Sequence, residues 1–138
     1  MTPGDHDKVI ALWRAAPGIG LSASDECPAI AAYLARNAGM SFVALARGRI
    51  VGAILGGHDG RRGTLHHLAV RPAWRRRGIG RALVVASLAR LAAAGIPKCN
   101  LFLFDHNAAG RAFWEKTGWT ARADLVVMQQ PLAGADAS

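Results

Sequence analysis

The run Arg75-Arg76-Arg77-Gly78-Ile79-Gly80-Arg81 carries the most legible chemistry in this chain. Arginine supplies a permanent charge and a forked set of donors. Glycine lets a ligand come close to the backbone. The run lies between a short apolar stretch, Leu68-Ala69-Val70, and a long apolar periodic segment, Leu83 to Ala94. That context reads as a strand end, a turn and a helix N-terminus. A helix start offers unpaired N–H groups and the positive end of the helix dipole. Together these make an anion cradle suited to phosphate or pyrophosphate, and so to a nucleotide-like cofactor.

Other anion motifs fit less well. Gly78-Ile79-Gly80 is followed by Leu83 where a dinucleotide fingerprint wants Gly or Ala. No Gly-Lys-Ser/Thr occurs, which excludes a Walker loop. The chain has 138 residues, 17 basic against 9 acidic, for a net charge of +8, and five of the basic residues fall within Arg71 to Arg81. Such a surface suits nucleic acid or a small polyanion. Nucleic acid is the weaker reading, because no helix-turn-helix or RNP signature accompanies the charge. Cys27 and Cys99 have neither CxxC nor metal spacing, so they read as free thiols and no metal is expected. The start, Met1 to Asp7, lacks the regions of a secretory signal, and no apolar run is long enough to span a membrane. The expectation is a cytoplasmic protein with no membrane partner.

The elements that must position the cradle follow from periodicity and stop signals. Asp5 or Asp7 caps a first helix to about Ala16, with Val9, Ile10, Leu12 and Trp13 on its apolar face. Ser24 or Asp25 caps a second helix, to about Asn37, which Gly39 closes. Ser41–Ala46 and Ile50–Leu55 read as strands joined by a tight turn at Arg47-Gly48-Arg49. A glycine-dense loop from Gly56 to Gly63 leads to a third strand, Thr64–Val70. The long helix runs from about Ile79 to Ala94 on a stripe of Ile79, Leu83, Val84, Leu88 and Leu91. Cys99–Phe104 reads as a strand with Phe102 and Phe104 as core or cleft lining. Asp105 then caps a short helix, Ala108 to Lys116. Trp119 to Met128 holds one or two last strands. Residues 1–132 are expected to form one α+β domain and 133–138 a loose tail.

In this order of elements the chain resembles the GCN5-related N-acetyltransferase (GNAT) superfamily. Arg75, Gly78 and Gly80 match its Q/R-x-x-G-x-G/A pyrophosphate motif. Asn107 and Ala112-Phe113-Trp114-Glu115-Lys116-Thr117-Gly118-Trp119 are similar to its N-x-x-A…Y-E-K-x-G-F/Y segment. The resemblance covers Asp5 to Leu132, and the loop from Gly56 to Gly63 looks like a bacterial subgroup of acetyltransferases, the YpeA type. It implies a three-layer α/β/α architecture with about four helices. The sheet would be mixed, mostly antiparallel, with a splayed parallel pair of central strands, Thr64–Val70 and Lys98–Phe104. The family's usual first strand has no room here, because only Met1 to Gly4 precede the capping aspartates; either that strand is lost or the true start lies upstream. Its loss would leave Ser41–Ala46 as a sheet edge, which a homodimer would cover.

The resemblance also implies an acetyl-CoA-dependent N-acyltransferase that works by direct attack in a ternary complex. The pantetheine arm would pair with Leu68, Ala69 and Val70, like an added strand. The pyrophosphate would take Arg75, Arg76, Arg77, Gly78, Ile79, Gly80 and Arg81. Asn107 would bond the pantetheine chain, and Trp114 would pack beside it. A backbone N–H near Leu68 to Val70 would polarise the thioester carbonyl.

The catalytic side chains depart from the family pattern. Relatives often use a Glu base and a Tyr acid. Trp114 stands at the Tyr position and is no acid. Thr64 and Phe102 stand near the places of the base, while the only glutamates are Glu26 and Glu115. A thiol of pKa ~8.5 makes the leaving thiolate only about 2 kcal/mol unfavourable at neutral pH, so the missing acid is survivable. A lysine amine costs about 4.6 kcal/mol to deprotonate at pH 7, and an α-amine only about 1. The expected acceptor is therefore a low-pKa amine, on a small molecule or a peptide N-terminus. His66 and His67 are the candidate bases, with His58 and Asp59 behind them. Strand alternation allows at most one of His66 and His67 to face the acceptor. A non-catalytic CoA-binding or regulatory module is the competing reading, and structural roles for both histidines go with it.

Overall fold

The computed structural model describes residues 1–132; the tail expected at 133–138 lies outside the described residues. The chain divides into two units, Met1–Phe102 and Leu103–Ser138.

In the first unit, α1 (His6–Ala15) and α2 (Cys27–Arg36) precede a four-stranded sheet of order β1-β2-β3-β4. The strands are β1 (Phe42–Ala46), β2 (Arg49–His58), β3 (Gly63–Val70) and β4 (Cys99–Leu101), with α3 (Ile79–Ala93) between β3 and β4. The β1–β2 and β2–β3 pairs are antiparallel and β3–β4 is parallel. Arg47 and Gly48 carry φ values of 52° and 75°, the left-handed pair of the tight turn read from the sequence. Among the described residues no strand precedes α1, and β1 is an edge of the sheet.

The two faces of the sheet are built differently. On one, Val9, Leu12 and Trp13 of α1 and Ile30 and Leu34 of α2 pack with Ile50, Ala53, Leu55 and Ala69. On the other, α3 lies on glycine. A Cβ on Gly52 would meet Leu83 at 3.1 Å, one on Gly56 would crowd the Met40 carbonyl and Ser87 Oγ (3.2 Å), and one on Gly63 would meet Leu91 at 2.9 Å. Leu83, Ser87 and Leu91 are four residues apart, one stripe of the helix. Ser87 is fully buried and donates to the Met40 carbonyl at 2.8 Å. The stripe read from the sequence had Leu88 in place of this serine; a hydroxyl fits because a strand-end carbonyl needs a donor there. Gly56→Ala is therefore expected to destabilise the fold by ~1–3 kcal/mol in urea unfolding, since backbone cannot yield as a side-chain tip can.

Several sequence expectations are corrected. The second helix begins at Cys27 after Glu26, not after Ser24 or Asp25; Ser22 instead caps a short 3-10 turn, Ala23–Asp25. The strand expected from Cys99 to Phe104 ends at Leu101, and Phe102 and Phe104 are 64% and 50% exposed. The parallel pair therefore stands at the sheet's edge rather than its centre.

In the second unit, α4 (Ala108–Lys116) is capped by Asn107, whose Oδ1 accepts from the Gly110 N–H at 2.9 Å; Asp105 does not cap it. Trp114 packs edge-on to Phe113 and Trp119, with ring centres 5.1 Å away in each case. The strands expected within 119–128 do not form. Arg122 turns onto Asp124 at 2.8 Å and the Leu125 N–H bonds the Arg122 carbonyl, so local bonds replace a ladder there.

Candidate active site

Two places in the first unit combine the sequence-flagged residues. The first is the cradle. Val70 leads through a 3-10 turn, Pro72–Trp74, to Arg75. Arg76 has φ 61° and Gly78 φ 77°, so the backbone alternates its hand just before α3. Such alternation turns successive N–H groups to one side. Among the described residues, no N–H from Arg76 to Arg81 has a protein acceptor. Arg75 Nε holds the Val70 carbonyl at 3.0 Å, and Arg77 lies over the Trp74 ring at 4.8 Å. None of Arg75, Arg76, Arg77 and Arg81 pairs with a carboxylate among the described residues. Unpartnered amides and unneutralised guanidiniums at a helix start fit a pyrophosphate.

The second place is the middle of β3. Its pairing with β4 covers only Gly63↔Cys99, Thr64↔Asn100 and Leu65↔Leu101, whereas β3 continues to Val70. Leu68, Ala69 and Val70 therefore follow the point where the parallel strands part. Its pairing with β2 runs Leu55↔His66 and then jumps to Ala53↔Ala69, a bulge opposite Ile54. His67 sits in the bulge with φ 55°.

The bulge overturns the expectation that His66 and His67 face opposite ways. Alternation holds only in a regular strand, and one extra residue restores the same face. Both rings lie toward α1 and α2, with centres 6.2 Å apart. His66 lies edge-on to Tyr33 at 6.3 Å, and His67 lies 4.9 Å from Trp13.

The surroundings give the two histidines different work. His66 opens onto a pocket of about 440 Å³, walled by Tyr33, Arg36, Asn37, Asp59, Arg62 and Asn100. Burial, and then the charge of His67, push its pKa below the ordinary histidine value. His58, beside the same pocket, spends Nδ1 on the Gly60 N–H. Asp59 accepts from the Arg61 and Arg62 N–H groups at 2.8 Å each, and these bonds hold its carboxyl below the usual range. Its first task is to close the loop.

His67 does not line that pocket. Its Nε2 meets Asp25 Oδ1 at 2.8 Å, and Asp25 is only 6% exposed. Asp25 Oδ2 accepts from the Ser22 N–H, and His6 Nε2 meets the Asp25 carbonyl at 2.8 Å. The sequence reading had Asp25 as a helix cap and assigned it nothing at the site. The signal is absent because its partner is 42 residues away.

The remaining polar groups are unsuited to carry an acyl group. Burial raises the Cys99 thiol to about 11 and the Tyr33 hydroxyl to about 12, so both stay protonated near neutrality. Cys27 is exposed at the start of α2. No helix is long and apolar enough to cross a membrane, and no cluster that could hold a metal occurs among the described residues.

Comparison with known proteins agrees with this geometry. The acetyltransferase (GNAT) family profile matches residues 9–119. The chain is 32% identical over 128 residues to acetyltransferase SG1711 of Sodalis glossinidius, covering 93% of this chain and 89% of that protein. Its fold is similar to that of the PaiA N-acetyltransferase of Thermoplasma acidophilum, solved in complex with coenzyme A. The TM-score is 0.78 at 18% identity, over 88% of this chain and 87% of that one. It is also similar to the aminoglycoside acetyltransferase meta-AAC0020 from an uncultured soil metagenomic sample, solved in complex with sisomicin. Here the TM-score is 0.74 at 21% identity, over 96% and 93% of the two chains. With the cradle, the parted parallel strands and these relatives together, the chain belongs to the acetyltransferase (GNAT) family and is an acetyl-CoA-dependent N-acyltransferase.

Proposed function

We propose that the protein transfers the acetyl group of acetyl-CoA to a low-pKa primary amine, on a small molecule or a peptide N-terminus, by direct attack. The observation that carries this reading is His66, which lines an open pocket and whose pKa burial holds below the ordinary histidine value. Neither of its ring nitrogens has a protein partner among the described residues. A base with a pKa below that of the acceptor removes a proton efficiently only as the nitrogen attacks the carbonyl. This favours amines that are already partly neutral. The cradle from Arg76 to Arg81 takes the pyrophosphate and fixes the donor.

Direct attack, rather than an acetyl-cysteine intermediate, is supported by Cys99. A thiol held near 11 is almost wholly protonated at neutral pH and is a poor nucleophile. The bond formed is N–C and the bond broken is C–S. His66 takes the ammonium proton, and the thiolate leaves without a dedicated acid at a cost of about 2 kcal/mol.

The test is thermal stabilisation by CoA, followed by thiol release from acetyl-CoA across a panel of amines. Stabilisation together with faster release for α-amines than for lysine ε-amines is expected. Stabilisation with no release across the panel would instead favour a CoA-binding module. Efficient lysine acetylation without α-amine activity would overturn the low-pKa acceptor.

A further inference from the structure

We infer that Asp25 is a positioning residue of the acyl-transfer site, acting through His67 to hold the bulge of β3. This rests on the transfer reading above and adds a residue to it.

The bulge is where the site is assembled. It sets the phase between His66 on one side and Leu68, Ala69 and Val70 on the other. Without the extra residue, every side chain on one side of it would turn to the opposite face of the sheet. Either His66 would leave its pocket, or Ala69, 5% exposed against α1, would leave the core. His67, which carries a Cβ, must therefore be held at φ 55°, a conformation that Cβ disfavours.

Three contacts hold His67 in that state. Nε2 meets Asp25 Oδ1 at 2.8 Å, the buried Trp13 ring lies 4.9 Å away, and the His66 ring stands edge-on at 6.2 Å. Asp25 is itself fixed by the Ser22 N–H on Oδ2 and by His6 Nε2 on its carbonyl. The segment between α1 and α2 is thereby tied to the middle of β3, next to the pocket. His67 contributes geometry, while His66 faces the acceptor.

Three variants separate this role from a charge effect and from simple loss of fold. His67→Ala keeps a Cβ strained at φ 55° and leaves the Asp25–Ser22 bond intact, yet removes the clamp. It is expected to lower kcat at least tenfold, with KM for acetyl-CoA within about threefold of wild type, because the cradle is held by its own turn. Asp25→Ala should behave alike. Asp25→Asn can still accept from Ser22 N–H through Oδ1 and donate to His67 Nε2 through its amide, with His67 in the other tautomer. It should retain kcat within about threefold and show the His67 tautomer change in nitrogen NMR. Wild-type kcat in His67→Ala would overturn the proposal, because the clamp would then be dispensable. Equal loss in Asp25→Asn and Asp25→Ala would also overturn it, because charge rather than position would be the cause. Absence of CoA stabilisation in the wild-type protein would count against the transfer reading, not against the clamp.

Discussion

Replacing His66 with glutamine is expected to lower kcat for the best amine acceptor by ~10²–10⁴-fold, the usual contribution of a positioned base. Glutamine keeps a polar group of similar length in the pocket but cannot take a proton. Wild-type kcat should fall as pH falls through a value below about 6.5, because burial disfavours the imidazolium. In the variant that acidic limb should disappear, leaving only the limb set by the acceptor. The same group enters the stability of the fold. Its folded pKa is depressed, so the unfolded chain binds the proton first as pH drops. The stabilisation is complete above about 6.5 and is lost as pH falls through the folded value. Urea midpoints between pH 5 and pH 7 should therefore change more for wild type than for His66→Gln. An unchanged kcat and pH profile in the variant would remove His66 from the mechanism.

The second large effect concerns the cradle. Arg81 is the third residue of α3 and is exposed. A glutamate there sits at a position that favours anions in a helix, adding roughly 0.3–1 kcal/mol of stability through the dipole. Toward a pyrophosphate, however, it replaces attraction with repulsion. Arg81→Glu is expected to weaken CoA binding by ~30-fold or more, on the order of 2–3 kcal/mol, while raising the melting temperature of the free protein slightly. Opposite movement of affinity and stability distinguishes a ligand site from a structural cation. Calorimetric titration with CoA beside thermal unfolding would show both, and unchanged affinity would place the pyrophosphate elsewhere.

What the sequence disclosed here was governed by how local each signal is. The cradle is seven consecutive residues with a fixed role for each type, so its place at the start of α3 could be read directly. The turn at Arg47-Gly48 and the stripe of α3 are likewise local. The bulge at His67 was not legible, because a strand is read by its period of two and nothing in the residue types marks the interruption. Asp25 was hidden for a related reason: a carboxylate before a helix looks like a cap until its distant partner is known. Ser87 was passed over because it interrupts an apolar stripe, although its buried hydroxyl gives Met40's carbonyl a donor that an apolar side chain could not. Of the two readings of Phe102 and Phe104, core fails because β4 has already ended when they are reached, which leaves the lining of the cleft. The strands expected within 119–128 show the converse. The apolar run Leu125-Val126-Val127-Met128 has strand-like composition, yet composition does not supply a hydrogen-bonding neighbour.

The unequal surroundings of the two cysteines have a practical consequence for any assay that counts released CoA with an aromatic disulfide reagent. Cys27 is open to solvent, whereas the Cys99 thiol is half-buried and held near 11. The native enzyme should thus show one fast-reacting sulfhydryl per chain and a second only on unfolding. The burst from Cys27 sets the blank of the kinetic trace. A Cys27→Ser protein would give a silent background and, by the late appearance of Cys99, an internal gauge of intactness during turnover.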